Sequence, residues 1–206
     1  MLTRVPIPSS VDRIPVPTET TINIRDARRR IQQFQDRWDR PQIEQFVAAD
    51  YELVWQTLRW LQDSVPLIGQ RLIEWGCGFA VVSAMAAELG FEVIGIEAES
   101  DLLSEGRKTL RDWPADLELV HGNFLPDGAE RLAEDPTLPS LGHPVPEAYP
   151  SIGLNLDDFA IVYSYPWPGE DDFHERVFND YADTGALLVQ FCGPNDIRCW
   201  RKKRSN

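Results

Sequence analysis

Residues 71–97 read RLIEWGCGFAVVSAMAAELGFEVIGIE, and the organisation of the chain follows from them. Leu72, Ile73, Glu74 and Trp75 form a short apolar run carrying one carboxylate near its end. Gly76, Cys77 and Gly78 follow, then an apolar, alanine-rich run over 80–89. Gly90 is placed to stop that run as a helix, because glycine accepts the left-handed conformation at a helix end. A second apolar run over 92–96 closes on Glu97. Strand, glycine turn, helix and second strand make one right-handed crossover, the opening of a doubly wound, mostly parallel α/β sheet. Ligands of such sheets bind at the carboxyl ends of the strands, where Glu74, the glycines and Glu97 all fall.

The glycine spacing separates two kinds of cofactor. A dinucleotide fingerprint has a small residue at its sixth position, where helix and strand pack closely; here that position is Val81. An acidic residue two places before the first glycine suits Glu74-Trp75-Gly76-Cys77-Gly78-Phe79-Ala80 better, with Ala80 where a third glycine is commoner. This segment resembles motif I of the class I, seven-strand, Rossmann-like S-adenosylmethionine (SAM) methyltransferases. The resemblance implies that S-adenosyl-L-methionine is the cofactor, with Glu74, Gly76, Cys77 and Gly78 around its methionine part. It also implies that Glu97, followed by Ala98, takes the ribose. The physical basis is that glycines let backbone N–H groups approach a ligand, while a carboxylate accepts from both hydroxyls of a cis-diol. An ordinary α/β unit with a tight turn needs neither carboxylate.

Upstream, residues 1–23 are rich in Pro, Ser and Thr and read as an extended arm. Ile24, Ala27, Ile31, Phe34 and Trp38 recur three or four apart, which predicts a helix over 24–38 decorated by Arg25, Arg28, Arg29, Arg30 and Arg37. That basic face suits either an acidic partner or the balancing of an acidic body. Pro41 breaks the pattern, and a second helix is expected from Ala49 or Asp50 to Asp63. The stretch 46–54 is similar to the segment preceding motif I in seven-strand protein-lysine methyltransferases. The domain organisation expected is therefore an arm and basic helix over 1–45 and a SAM-methyltransferase domain over 46–206.

Downstream, a helix over 100–113 and a third strand over 117–120 lead to His121-Gly122-Asn123-Phe124. By resemblance Asn123, with Phe124 beside it, meets the adenine edge, since an amide offers both a donor and an acceptor; a turn asparagine next to glycine is the plainer reading. Residues 126–156 hold a short polar helix and then five prolines, a pattern that suits a gate over the acceptor side or surface decoration. The run Phe159-Ala160-Ile161-Val162-Tyr163 is apolar throughout, as a central parallel strand is. It delivers Ser164-Tyr165-Pro166-Trp167, similar at three of four places to the D/N/S-P-P-Y/F/W box of amino-methyltransferases. That resemblance makes Ser164, Tyr165 and Trp167 the candidate catalytic residues, with Tyr165 departing from the box where a proline belongs. Glu170 and Asp171 follow as candidate bases by position. A helix over 173–181, a strand over 186–192, a four-residue turn and a final antiparallel strand over 197–202 complete the chain, a shortened end that leaves a full set of seven strands open.

A net charge of −13 argues against a protein wrapped on a nucleic-acid backbone, where basic surface supplies most of the affinity. Three cysteines without a CxxC pair, and three scattered histidines, give neither a disulfide framework nor a metal site. No apolar run is long enough to span a membrane, and a cytoplasmic setting is the default. With E-W-G-x-G before the helix and Y-P-W-P-G-E after the fourth strand, the chain resembles a group of small bacterial proteins within the methyltransferase family. The activity implied is methyl transfer to an unidentified acceptor, protein lysine or a small-molecule amine foremost. A SAM-binding protein without transfer activity, and a nucleotide-dependent oxidoreductase on a related fold, are the alternatives.

Overall fold

A computed structural model describes residues 1–36, 47–194 and 196–204. Alternation of apolar side chains builds one sheet with a helical layer on each face. Along β2 (Arg71–Trp75), Leu72 joins the core on one face and Ile73 and Trp75 the core on the other. In β5 (Ile161–Ser164), Ile161 and Tyr163 face the first layer and Val162 the second. This two-fold period on strands buried on both sides is the signature of a central parallel sheet.

The first layer contains α1 (Thr18–Gln35), α2 (Tyr51–Ser64), α3 (Val81–Glu88) and α4 (Ser100–Asp112). The second is built on α6 (Asp171–Tyr181) and the short α5 (Tyr149–Ile152). With β1 (Leu2–Arg4), β3 (Glu92–Glu97), β4 (Leu117–His121), β6 (Leu187–Gly193) and β7 (Asp196–Lys202), the sheet has seven strands ordered β1-β7-β6-β5-β2-β3-β4. Strands β2 to β6 run parallel; β7 is antiparallel to β6, and β1 is antiparallel to β7. The chain leaves β2 outward through β3 and β4, then returns to its other side as β5, so the order reverses between β2 and β5. Their carboxyl ends, Trp75 beside Ser164, open the crevice where doubly wound sheets bind ligands.

Two stretches differ from their sequence reading. The expected arm supplies the edge strand: Leu2 to Arg4 pair with Lys202 to Trp200, and this strand fills the seventh place that the short C-terminal end leaves. The helix α1 starts six residues early, at Thr18 behind Pro17. Its expected end at Trp38, the break at Pro41, the boundary at 45–46 and Asn195 lie outside the described residues. The arginines of α1 meet acids of the protein itself: Arg28 pairs with Glu52 on α2, Arg30 with Asp112 of α4, and Arg25 and Arg29 with Asp26. Arg37, the fifth arginine expected on this face, lies outside the described residues.

Residues 126–156 are also more ordered than their prolines suggest. They form 3-10 turns at Ala129–Leu132 and Pro139–Leu141 and the helix α5. Ala129, Ala148, Tyr149 and Leu156 are buried in the second core, so this crossover is a part of the fold. Its periods are too short to register as helical spacing in sequence.

Candidate functional site

The site begins with backbone geometry after β2. Gly76 and Gly78 sit at φ +70° and +51°, the left-handed region that glycine enters without steric cost. Ala80, at φ 55°, is the one non-glycine residue of positive φ among the described residues, so it holds a conformation that suits a third glycine. A Cβ on Gly76 would meet nothing within 4 Å, because that face opens into a cavity. On the other side of the turn, α4 presses against it through Gly106, where an added Cβ would stand 2.9 Å from the Gly78 carbonyl oxygen.

Glu97 closes β3 with its side chain buried and both oxygens engaged. Oε2 accepts the Gly78 N–H at 2.8 Å and Oε1 the Glu99 N–H at 2.9 Å. Burial pushes its carboxyl above the ordinary carboxylate range, opposed by those two N–H groups and by His143. A carboxylate has about four lone-pair sites, so two remain for a ligand.

The cavity beside these residues has a volume of about 630 Å³, within the range of pockets that take a cofactor or drug-sized molecule. On the β2–β4 side its wall is Gly76, Glu97, Ala98, Glu99, Leu102 and Asn123. On the β5–β6 side it is Tyr165 to Pro168, Asp171, His174 and Cys192, and the segment 139–144 closes across. Trp75 and Phe124 stack at 5.0 Å and 16°, forming an aromatic wall between the two sides. Trp75 donates its indole N–H to the Tyr149 hydroxyl at 3.1 Å, and the His174 ring meets both Trp75 and Phe124 edge-on.

Of the candidate residues, Gly76, Glu97, Ala98, Asn123, Phe124, Tyr165 and Trp167 line this one cavity. Asn123 also serves its own turn, its Oδ1 accepting the Leu125 N–H at 2.9 Å. Glu74 and Cys77 line instead a smaller hollow of about 40 Å³ with Tyr51, Tyr163 and Tyr165. There Glu74 Oε2 accepts from the Ser83 hydroxyl at 2.5 Å, and burial raises its carboxyl to about 8, opposed by Ser83 and aided by Glu97. Gly78 lies behind the turn, and Ser164 is fully buried at the end of β5 with its hydroxyl unpartnered.

Glu170 takes a part different from that of a base. It is fully buried, and its two oxygens accept the Ser140 N–H at 2.8 Å and the Ser140 hydroxyl at 2.6 Å. His174, one turn on, places Nε2 at 3.6 Å from Glu170 and 3.4 Å from the Ser140 hydroxyl. Burial works to raise the Glu170 carboxyl, but His174 and Ser140 outweigh it and hold it below the ordinary range. This cluster fastens the 139–144 wall to α6. Sequence reasoning missed Ser140 and His174; the i, i+4 spacing of Glu170 and His174 on one helix face is the signal that could have found the second. Among the described residues no group of three or more His, Cys, Asp or Glu is placed to hold a metal ion, and no helix is long and apolar enough to cross a membrane.

Comparison with known proteins gives one weak sequence likeness and a clear likeness of fold. No family model matches the chain. A 23S rRNA (uracil(1939)-C(5))-methyltransferase of Shewanella sp. (strain MR-4) is 34% identical over 76 residues, 36% of this chain but only 16% of that protein. Among solved structures, an RNA methyltransferase from Salinibacter ruber in complex with S-adenosyl-L-homocysteine matches 70% of this chain and 86% of its own at 15% identity, with a TM-score of 0.45. A methyltransferase from Geobacter sulfurreducens matches 92% of each chain at 16% identity, with a TM-score of 0.51. The fold is that of the Rossmann-like methyltransferases, a seven-strand, mostly parallel sheet between helical layers.

Proposed function

We propose that the protein is a SAM-dependent methyltransferase acting on an amino nitrogen, of a protein lysine or a small molecule. One observation carries this reading: Glu97, at the end of β3, is fixed by the Gly78 and Glu99 N–H groups at the wall of the cavity, with two lone-pair sites left over. A cis-diol is the group that two adjacent acceptors on one carboxylate suit. The open face at Gly76 leaves room for a ligand against the turn. The fold shared with the Geobacter methyltransferase adds to the reading, as does the glycine-turn sequence of Glu74 to Gly78.

In this reading Glu97 holds the ribose, Ala98, Asn123 and Phe124 border the adenine, and Gly76 borders the methionine part, with Glu74 and Cys77 beneath the turn. Bound SAM supplies a sulfonium methyl that an amine lone pair accepts while the C–S electron pair stays on sulfur. The chain's own task is to place the acceptor, since positioning alone lowers such a barrier by several kcal/mol. Tyr165 and Trp167 do so from the end of β5. Ser164 lies buried behind them at the end of β5.

Isothermal titration with S-adenosylhomocysteine (SAH) and with NAD tests the reading. SAH is expected to bind and NAD not to. Replacing Glu97 by Gln should weaken SAH about tenfold or more, since charge-assisted bonds contribute about 1.5–3 kcal/mol. Unchanged SAH affinity in E97Q, with the fold intact by circular dichroism, removes the ribose role. NAD binding in place of SAH moves the protein to the oxidoreductases.

A further inference from the structure

The acceptor half of the cavity has a charge as well as a shape. Every acidic or basic side chain lining the cavity, among the described residues, is Glu97, Glu99, Asp171, His143 or His174; neither lysine nor arginine contributes. Glu97 and Glu99 stand at the β3 end, and His143 Nδ1 lies 3.5 Å from the Glu99 carboxylate there. Asp171, half-buried in the first turn of α6, and His174, one turn further along it, are the ionisable groups of the β5–β6 side. Arg198 on β7 pairs with Asp196 at 3.1 Å and also lies within electrostatic reach of Asp171, whose side chain meets the Cys192 thiol, but it does not line the cavity. The walls around Asp171 are flat or rigid: Tyr165, Trp167 and the prolines Pro166 and Pro168.

We propose, resting on the methyl-transfer reading, that the β5–β6 side of the cavity takes a small, flat amine that binds as its ammonium ion, gives one N–H proton to the Asp171 carboxylate and then accepts the methyl on the freed lone pair, and that the charge of this side excludes nucleic acids and anionic metabolites. The argument has three parts. A carboxylate with neither lysine nor arginine in the lining beside it attracts a cation and repels an anion, and a partly enclosed, apolar wall strengthens both effects. Trp167 and Tyr165 line this side, and an aromatic ring attracts an ammonium within about 6 Å of its centroid and stacks on a flat ring. A nucleoside-sized cofactor takes up much of the volume of about 630 Å³ and leaves room for little more than a ring and its substituent. The arginines of α1 are paired with Asp26, Glu52 and Asp112 of the chain itself.

Asp171 has a second use, since an acid in the first turn of a helix favours its dipole. Asp172 shares that use but is exposed and does not line the cavity, so it serves as the control.

The test is a titration of the full chain, saturated with SAH, with four probes: benzyltrimethylammonium, benzenesulfonate, N-acetyl-lysine amide and a short oligouridylate. Benzyltrimethylammonium is expected to bind at least about tenfold more tightly than each of the others, a difference of about 1.4 kcal/mol. Asp171→Asn and Trp167→Ala should each weaken it about threefold or more, and Asp172→Asn should leave it unchanged. Sulfonate or oligouridylate binding as tightly as the ammonium ring overturns the charge argument. Tighter binding of the lysine amide overturns the flat-ring argument and favours a protein acceptor. Equal losses in D171N and D172N assign Asp171 to the helix alone. Should SAH itself fail to bind, the methyl-transfer reading falls and the acceptor role with it, while the same four titrations on the free protein decide separately whether this side selects a flat cation.

Discussion

Glu74, singled out in the sequence by its place before the glycine turn, also has a part in the stability of the fold. Its place two before Gly76 marks the motif, yet its carboxyl points into the first layer, bonded to Ser83, and is raised to about 8. Between about pH 4.5 and 8 the unfolded chain releases this proton while the folded chain keeps it, so folding stability falls as pH rises through that window. Glu74→Gln keeps the size and the hydrogen bond to Ser83 without the proton. The variant is expected to match the parent near pH 4.5 and to exceed it by a few kcal/mol at pH 8, since each tenfold change in proton affinity is worth about 1.4 kcal/mol. Urea melts at several pH values read this directly, and parallel pH curves for the two proteins would refute it. Gly106 belongs to the same scale. An alanine there brings Cβ to 2.9 Å from the Gly78 carbonyl oxygen and 3.3 Å from the Ala80 Cβ. Forcing α4 off the glycine turn should cost about 1–3 kcal/mol and weaken SAH binding in step. An unshifted melting temperature in G106A would mean that the helix gives way freely.

At the scale of elements, the 139–144 wall depends on one buried carboxylate. Removing the Glu170 oxygens leaves the Ser140 N–H and hydroxyl without partners, a loss of about 1–3 kcal/mol in a buried setting. Glu170→Ala is therefore expected to speed amide hydrogen exchange across residues 138–146 while the amides of β2 and β3 keep their protection. Uniform loss of protection through the sheet would instead make Glu170 a global core residue. The parent's contribution from Glu170 is present above the ordinary carboxylate pKa and is lost as pH falls, because its folded pKa is depressed. Acid should thus loosen the wall in the parent and change E170A little.

How much could be read in advance also divides by element. The glycine turn and its two strands were legible because each step has a local cause: an apolar run, a residue type tolerating positive φ, a carboxylate at a strand end. The central strand ending at Ser164 and the antiparallel β6–β7 pair were legible for similar reasons. The crossover 126–156 was not, since its turns are three or four residues long and its buried residues, such as Tyr149, gain their meaning from partners about 70 positions away. The clamp of Ser140 by Glu170 likewise joins residues 30 apart, with no periodicity to announce it.

For the whole molecule, the least legible feature is that the sheet is finished by its first residues. Leu2 to Arg4 lie along β7, the Val5 N–H reaches the Cys199 carbonyl at 2.8 Å, and the Lys203 N–H reaches the Met1 carbonyl at 2.8 Å. Leu2 packs against one core, and Val5 and Ile7 against the other, so the strand seals both layers at this edge. The edge is basic, with Arg4, Arg201, Lys202, Lys203 and Arg204 on an otherwise acidic protein. Such charge is a common guard of a sheet edge against pairing with another chain. Deleting residues 1–5 takes away the strand and one of those cations together and leaves β7 with a bare row of N–H and C=O groups. The truncated chain is expected to lose about 1–3 kcal/mol of stability and to self-associate, measured by urea melts and sedimentation velocity. SAH affinity should hold, because the binding crevice lies three strands away at the β2–β5 junction. A truncated protein that stays monomeric with the parent's melting curve would show that β7 needs no partner. One that loses SAH binding while remaining folded would tie the edge to the site through the sheet.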